Sequence, residues 1–213
     1  MLAHNINTFN DTVVRERLRQ ATHHYHLRLN HHPSLVGLVQ PDLSLAHYRK
    51  LLLAYLNLYS CLEERISQFI TRSSYAFDYA SRRKLQWLEQ DIAFFQDDPH
   101  ASRPEILLPD IDHIGQLIGV LYTIEGSTLG GQLISRSLAS SHGLTRDEGA
   151  RFFNGYGDET CAMWDDYIRY AETIAEDDEQ CIMAERAACQ TFQLFERVID
   201  DLGDTAQSRI AHE

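Results

Sequence analysis

Proline, paired cysteines and long apolar runs are all scarce in this sequence. Its 213 residues include five prolines and four cysteines, and no two cysteines have the CxxC spacing of a zinc ribbon. No apolar stretch approaches the roughly 20 residues that cross a membrane, and residues 1–10 lack the basic and apolar regions of a secretory signal. We therefore expect a cytoplasmic protein with free thiols, and neither a disulfide framework nor a membrane protein.

Positive charge is scarce as well. The chain has 19 Lys and Arg against 31 Asp and Glu, a formal net charge of −12 at pH 7. Nucleic-acid backbones are bound by clustered Lys and Arg, so this composition does not predict a nucleic-acid partner. Residues 1–50 have the opposite balance, with six basic and three acidic side chains. An anionic ligand is therefore expected to bind in the N-terminal half.

Apolar residues recur with a helical period of about 3.6 along most of the chain. The prolines are confined to residues 30–43 and 96–110, which we predict to be the main loops. There is no hairpin signal, repeat or linker, so we predict one all-α domain over residues 1–213, with 1–10 and 203–213 frayed. The predicted helices are 11–30, 44–70, 80–95, two within 111–142 separated by glycines, 146–153, 160–175 and 179–202.

Three histidines lie close together on the first predicted helix. At about 100° per residue, His26 falls at the edge of the apolar face, whereas His23 and His24 point outward. Arg19 shares the edge of His26, roughly 10 Å away along the helix axis. An imidazole and a cation in these positions are suited to bind an anion that contains a metal. A core histidine bonded to a carbonyl, beside a solvated arginine, would give the same pattern, and both readings stay open at this point.

The second unusual segment is GSTLGGQ at residues 126–132, inside an otherwise apolar helix. Gly126, Gly130 and Gly131 each cost about 1 kcal/mol relative to alanine in a helix interior. Either another helix packs closely against these small residues, or a flat ligand lies against the bare backbone. Ser127 and Thr128 add hydroxyl groups beside them. A phosphate-binding loop is not predicted, because no strand precedes the glycines and no Gly-Lys-Ser/Thr follows.

Together these segments resemble the heme oxygenase family, and within it the bacterial group associated with bacteriophytochromes. The glycine-rich segment, LYxxEGSTLGGQ at 121–132, is the most specific part of the resemblance. The other matching segments are LRxATxxxH at 18–26, FFxxYG at 152–157 followed by Trp164 and Arg169, and QLFE at 193–196. The resemblance implies a single-domain multi-helix bundle that binds heme as both substrate and cofactor.

The activity that the resemblance implies is the opening of the heme ring. Heme would be cleaved at a meso carbon, the α position by the likeness to the subgroup, with oxygen and electrons as co-substrates. The products would be biliverdin, carbon monoxide and iron. The implied electron donor is ferredoxin or a flavoprotein reductase, and a bacteriophytochrome is the implied acceptor of biliverdin. Iron acquisition is the alternative purpose, and the residues do not choose between the two.

The resemblance also assigns roles to residues. His26 is the implied iron ligand, and Asn30, one turn later, is a candidate to hold its tautomer. Arg19 and Arg169 match positions whose cations bind the heme propionates, although Asp165 stands where relatives often carry a further basic residue. The implied distal catalytic residues are Gly126, Ser127, Gly130 and Gly131, and the implied heme-binding residues besides His26 are Arg19, Thr22, Tyr122, Thr128 and Arg169.

Ser127 is the main departure from the family pattern. Many relatives carry an aspartate at this position, and that aspartate organises the distal waters. The bacterial group that the chain resembles shares the serine, so activity remains the leading expectation. The alternative is a non-catalytic protein of the same fold that holds heme or another tetrapyrrole.

Other chemistries fit the sequence less well. A di-iron bundle needs paired Glu-x-x-His motifs, and the chain offers one Asp-x-x-His, at Asp110 and His113. A thiol hydrolase of the thiaminase type needs a reactive cysteine, whereas the cysteines here lie in apolar helical segments that are typical of buried thiols. We interpret the basic run RRK at residues 82–84 as a solvated face, which could also dock an acidic electron donor.

Overall fold

The computed structural model describes residues 12–99 and 106–210, with side chains described up to residue 202. The regular structure of these residues is helical, and their β-type contacts are isolated bridges from Thr145 to Glu148 and Gly149. The prediction of an all-α fold is confirmed. The helices are α1 (Val13–Asn30), α2 (Pro33–Val36), α3 (Leu45–Arg72), α4 (Leu85–Phe94), α5 (Ile114–His142), α6 (Arg151–Asn154), α7 (Thr160–Ala171) and α8 (Asp178–Ile210).

Several boundaries differ from the prediction. The predicted loop at 30–43 contains α2, which has Pro33 at its first position, where a missing N–H costs nothing. The two helices predicted within 111–142 form the single helix α5. Helix α8 continues to Ile210, past its predicted end at residue 202. The predicted frayed residues 1–10 and 211–213 lie outside the described residues.

Close packing against α8 explains the first two glycines of α5. A Cβ atom on Gly115 would lie 2.1 Å from the carbonyl oxygen of Gln180, and one on Gly119 would lie 2.1 Å from that of Ala184. Only glycine allows the two helix backbones to approach this closely. The helix ends at Gly143, whose φ of 66° is a left-handed conformation that favours glycine.

Helix α5 lies at the centre of the fold. Its first half is buried on all sides, as Ile118, Leu121 and Ile124 illustrate, because it packs against α8 and α7. Helix α1 packs on α8, and α3 packs on α4. Within the described helices, none combines the length and the apolar composition that a membrane crossing needs.

The interpretation of residues 82–84 as a solvated face is wrong for two of the three side chains. The side chains of Arg82 and Lys84 are 2% and 1% exposed, and only Arg83 faces solvent. Arg82 donates to Glu125 at 2.9 Å and to Asp166 at 2.6 Å, and Lys84 donates to Glu125 at 2.6 Å. Charged groups are buried when a partner compensates them. Here that partner lies on α5, far away in sequence.

The cysteines are free thiols, as expected. Cys181 is buried and Cys61 and Cys189 are partly buried, but Cys161 is exposed, so the expectation of buried thiols is wrong there. The described residues contain no group of three or more His, Cys, Asp and Glu side chains that could hold a metal ion.

Candidate functional site

A cavity of about 620 Å³ lies between α1 and the glycine-rich half of α5. Its walls are mainly apolar and aromatic, as is usual for ligand pockets, and no described Asp or Glu lines it. A second groove of about 640 Å³ along α3 is open to solvent and contains none of the predicted site residues. The aromatic residues of the cavity wall are Tyr55, Tyr59, Tyr122, Phe152, Phe153, Trp164, Phe192 and Phe195.

His26 faces this cavity from α1. Its ring meets that of Phe192 edge-on, with 6.1 Å between the ring centroids. Partial burial lowers the pKa of His26, and the neighbouring His23 lowers it further. The neutral imidazole, which is the form that binds metals, is therefore favoured. His23, His24 and His26 are all exposed on α1, and His26 is the one of the three that lines the cavity.

Asn30 is positioned to hold the imidazole of His26. Its side-chain nitrogen lies 3.2 Å from Nδ1 of His26. An amide can present its oxygen in place of its nitrogen after a flip that changes little else. With the oxygen at this position, Asn30 accepts the Nδ1 proton, and the Nε2 lone pair is left available as a ligand.

The glycines of α5 serve two different purposes. A Cβ on Gly131 would lie 3.0 Å from the carbonyl oxygen of Phe153, so this glycine permits close packing. A Cβ on Gly126 would lie 3.4 Å from the ring of Trp164, which is ordinary contact distance. A Cβ on Gly130 would meet nothing within 4 Å. Packing within the protein therefore does not explain Gly130, which presents bare backbone to the cavity.

Hydroxyl groups line the same stretch of α5, but their hydrogens are already engaged. Ser127 donates to the carbonyl of Ile124 at 2.8 Å, and Thr128 donates to that of Glu125 at 2.7 Å. Both hydroxyls can therefore only accept further hydrogen bonds. The Tyr59 hydroxyl, also on the cavity wall, is buried without a hydrogen-bond partner among the described residues. It is thus the available donor on this side of the cavity.

The environment of Tyr59 keeps its proton in place. Burial raises the pKa of the Tyr59 phenol well above its usual value. A neutral phenol beside a hydroxyl that can only accept forms a polar spot in an otherwise apolar wall.

A buried ionic cluster supports α5 behind this wall. The Lys84 ammonium donates to the Arg82 carbonyl at 3.0 Å, to Glu125 at 2.6 Å and to the Tyr156 hydroxyl at 3.0 Å. Tyr156 in turn donates to Glu125 at 2.9 Å. All three ammonium protons are used, so Lys84 has none left for a ligand although it lines the cavity. Because Glu125 directly precedes Gly126, the cluster holds the glycine-rich segment in place.

His26 and the glycine-rich segment follow each other along the chain in the order that the family resemblance implies, and both face one cavity. A family model described as heme oxygenase matches residues 13–201. The chain belongs to the heme oxygenase family. A comparison with curated proteins finds no match, and the bacteriophytochrome-associated subgroup stays a prediction.

The fold is similar to those of bacterial heme oxygenases of known structure. The heme oxygenase of Neisseria meningitidis, described with NO and CO bound, is 19% identical, with a TM-score of 0.73 over 89% of this chain and 92% of that chain. That of Leptospira interrogans is 16% identical, with a TM-score of 0.72 over 89% and 99% of the two chains. Heme oxygenase-1 of the cyanobacterium Synechocystis, described in complex with heme, is 16% identical, with a TM-score of 0.61 over 93% and 97%. At these identities the likeness establishes the fold.

Most of the predicted site residues of this heme oxygenase domain lie on the cavity wall. The exceptions are Thr22, Arg19 and Arg169. Thr22 is buried, and its hydroxyl donates to the Leu18 carbonyl at 2.7 Å. The two arginines are exposed and form ion pairs with acidic residues on their own helices. The predicted residues on the wall are His26, Tyr122, Gly126, Ser127, Thr128, Gly130 and Gly131.

Several residues of this wall have no distinctive signal in the sequence. Tyr55 and Tyr59 are four apart on α3, a spacing that is equally typical of a helix packed in a core. Lys84 lies in a basic run, which is typical of a solvated face. Arg136 gave no signal, because a single arginine near the end of an amphipathic helix is usually a surface residue.

Proposed function

We propose that this protein is a heme oxygenase that holds heme between His26 and the glycine-rich half of α5. It would use oxygen and electrons to cut the ring at a meso carbon, the α position by the subgroup resemblance, and release biliverdin, carbon monoxide and iron. Bound heme would supply the iron that activates oxygen and would itself be the ring that is opened. The cytoplasmic location stays a prediction.

The observation that carries this proposal is that two distant segments face one cavity. His26 lies on α1 and Gly130 on α5, and both line the same space of about 620 Å³. The bare backbone at Gly130 allows a flat ring to approach. The aromatic wall suits an apolar macrocycle, and the absence of Asp and Glu among the described lining residues suits a ligand that carries carboxylates.

His26 is the proposed iron ligand. Partial burial lowers the pKa of His26, which favours the neutral imidazole that a metal binds. Asn30 would hold the Nδ1 proton and thereby direct Nε2 towards the iron. Family membership supports this role, since the segment around His26 matches the proximal segment of the family.

On the side of the ring that faces α5, the protein would shield the ligand from bulk water and form weak hydrogen bonds. The hydroxyls of Ser127 and Thr128 would accept hydrogen bonds, and the neutral Tyr59 phenol would donate one, directly or through a water. None of these groups is a strong acid. This arrangement would keep bulk water out and deliver protons through weak donors, without the aspartate that many relatives have at the position of Ser127.

The partners are proposed from the family alone. Ferredoxin or a flavoprotein reductase would supply electrons. A bacteriophytochrome would accept the biliverdin, or the reaction would instead serve iron acquisition. Because Arg82 and Lys84 are buried, the basic run at 82–84 offers only Arg83 to an acidic donor protein.

A second candidate function is heme binding without turnover. The observation in its favour is Ser127, since the carboxylate that organises distal water in many relatives is missing. Both candidates predict heme binding, and only the first predicts ring opening.

The test is an aerobic spectrum of the purified protein with one equivalent of hemin and a reductant, followed over time. A Soret band that forms and then decays into a broad far-red band of biliverdin would support turnover. If the band forms and persists, including with ferredoxin as the donor, the binding-only candidate is correct. If no Soret band forms, both candidates fail.

The role of His26 has matched controls on the same helix. His26→Ala is expected to remove most of the spectral character of ligated heme, whereas His23→Ala and His24→Ala should keep it. If His24→Ala abolishes the ligated spectrum and His26→Ala leaves it intact, the assignment of the iron ligand is wrong.

A further inference from the structure

Helices α1 and α8 meet at one constant offset along the chain. Each of five polar contacts joins a residue of α1, or of the turn that follows it, to the residue 168 positions later on α8. A constant offset means that the two helices run parallel and in register, turn beside turn. The contacts are Arg17–Glu185, Ala21–Cys189, Tyr25–Gln193, Arg28–Glu196 and His32–Asp200.

Burial does not hold the two halves of α1 equally. The buried residues of α1 are Val14, Leu18 and Thr22, whereas residues 23–30 are half-buried or exposed. Packing in the core therefore fixes the beginning of the helix. The half that carries His26 depends more on its polar contacts with α8.

Two of these polar contacts lie on either side of His26. The Arg28 guanidinium donates to both carboxylate oxygens of Glu196, to one of them at 2.7 Å. The Gln193 amide donates to the Tyr25 hydroxyl at 3.0 Å. A guanidinium and a carboxylate that share two hydrogen bonds fix their mutual orientation as well as their distance. Such polar pairs set the register of paired helices.

The same stretch of α8 also forms part of the cavity wall. Phe192 and Phe195 line the cavity together with His26, and each directly precedes one of the polar partners, Gln193 and Glu196. A slip of α1 by one residue would turn the His26 side chain by about 100° around the helix axis, away from this wall. The polar contacts therefore bear on the direction in which His26 points.

We propose that Glu196, through Arg28, and Gln193, through Tyr25, are positioning residues that hold His26 towards the iron of the bound ligand. This inference rests on the proposed function, in which His26 is the iron ligand, and deepens it. Neither residue of α8 lines the cavity, so each acts through α1. Because the Arg28 side chain is 55% exposed, its ion pair adds little to the stability of the fold, and removing the pair should leave the protein folded.

The experiment compares hemin with metal-free protoporphyrin IX, which has the same ring and carboxylates but no iron. Binding of each is followed by quenching of the fluorescence of Trp164, which lines the cavity. The ratio of the two affinities reports the contribution of the bond between iron and His26. Glu196→Gln is expected to lower this ratio about tenfold and to leave both the affinity for protoporphyrin IX and the urea unfolding midpoint nearly unchanged. Tyr25→Phe, which removes the acceptor of a single neutral hydrogen bond, should lower the ratio by a smaller factor.

Matched variants on the same two helices make the result specific. Glu185→Gln makes the same change at a carboxylate that pairs with Arg17 at 2.5 Å, beside the buried half of α1, and it should leave the ratio unchanged. Exchanging the charges, with Arg28→Glu and Glu196→Arg combined, should recover part of the ratio. In the His26→Ala background, Glu196→Gln should have no further effect, because no iron ligand is left to position.

The outcomes separate this inference from the proposed function. If the unmodified protein binds neither ligand, or if His26→Ala leaves the ratio unchanged, the proposed iron ligand fails and this inference fails with it. If His26→Ala lowers the ratio and Glu196→Gln does not, the inference is overturned and the proposed function stands. Equal weakening of both ligands by Glu196→Gln would also overturn it, since the residue would then act on the shape of the cavity. So would an equal effect of Glu185→Gln.

Discussion

Replacing Glu125 by glutamine removes the carboxylate shared by two buried cations. Its side chain is 1% exposed and accepts from Arg82 at 2.9 Å, from Lys84 at 2.6 Å and from Tyr156 at 2.9 Å. Glutamine keeps the volume and one acceptor oxygen, but it turns an N–H group towards a cation. Arg82 still has Asp166 as a partner, whereas Lys84 is left without a compensating charge.

The cost of this change follows from the burial of the pair. Removing one partner of a buried ion pair costs about 3–5 kcal/mol, and the oxygen that glutamine retains places the expected loss near 3 kcal/mol. A domain of this kind has about 5–15 kcal/mol of stability, so the variant should fold but unfold at clearly lower denaturant concentration. Lys84→Met should cost less, because Glu125 keeps Arg82 and Tyr156 as partners.

The assay is urea unfolding followed by circular dichroism, for both single variants and for the double variant. The double variant should be at least about 1 kcal/mol more stable than the sum of the single losses predicts. Glu16→Gln, in an exposed pair with Arg19, should leave the unfolding midpoint nearly unchanged. Additive losses, or a loss below about 1 kcal/mol for Glu125→Gln, would refute the view that the cluster depends on this carboxylate.

Three further predictions follow from local geometry. Gly119→Ala should destabilise the fold by about 2 kcal/mol or more, because its Cβ would lie 2.1 Å from the Ala184 oxygen. Gly130→Ala, in contrast, should stabilise the free protein by up to about 1 kcal/mol and weaken hemin binding. Thermal unfolding and hemin titration measure these effects, and equal stabilities of the two variants would contradict the packing described for Gly119. Tyr59→Phe should change the stability of the protein by no more than about 1 kcal/mol and leave its affinity for hemin unchanged. It should slow ring opening about tenfold or more, and an unchanged rate would show that Tyr59 takes no part in the reaction. Burial raises the pKa of Asp91 to about 6. The difference in unfolding free energy between the unmodified protein and Asp91→Asn should therefore favour the unmodified protein fully below about pH 4 and decline as pH rises through about 6. A difference that does not change with pH would contradict this.

The helices were predictable because their signals are local. Apolar periodicity near 3.6 and the confinement of proline to two regions are enough to predict an all-α fold. The ends of α1 at Asn30 and of α5 at His142 agree with the prediction. The continuity of α5 was not predictable, because whether a glycine interrupts a helix depends on what packs against it: the backbone of α8 lies against Gly115 and Gly119, and the backbone of Phe153 lies against Gly131.

The candidate site was predictable in part, because some of its residues have a local signal in the sequence and others do not. His26 and Gly130 stand out by their position on their own helices, so each could be singled out before its neighbours were known. Tyr59 could not be singled out, because an aromatic residue on the inner face of a helix has the same spacing whether it meets other side chains or a cavity.

The sequence by itself determined which segments are helical, which face of each helix is apolar, and the family to which the chain is similar, since these depend on residues close together in the chain. Only the tertiary structure decided which charges are buried and which face the cavity. Arg82 and Lys84 are buried because Glu125 lies against them from 43 and 41 residues away. Arg136 faces the cavity, and Arg19 does not, because side-chain surroundings depend on how helices pack, which no local pattern encodes.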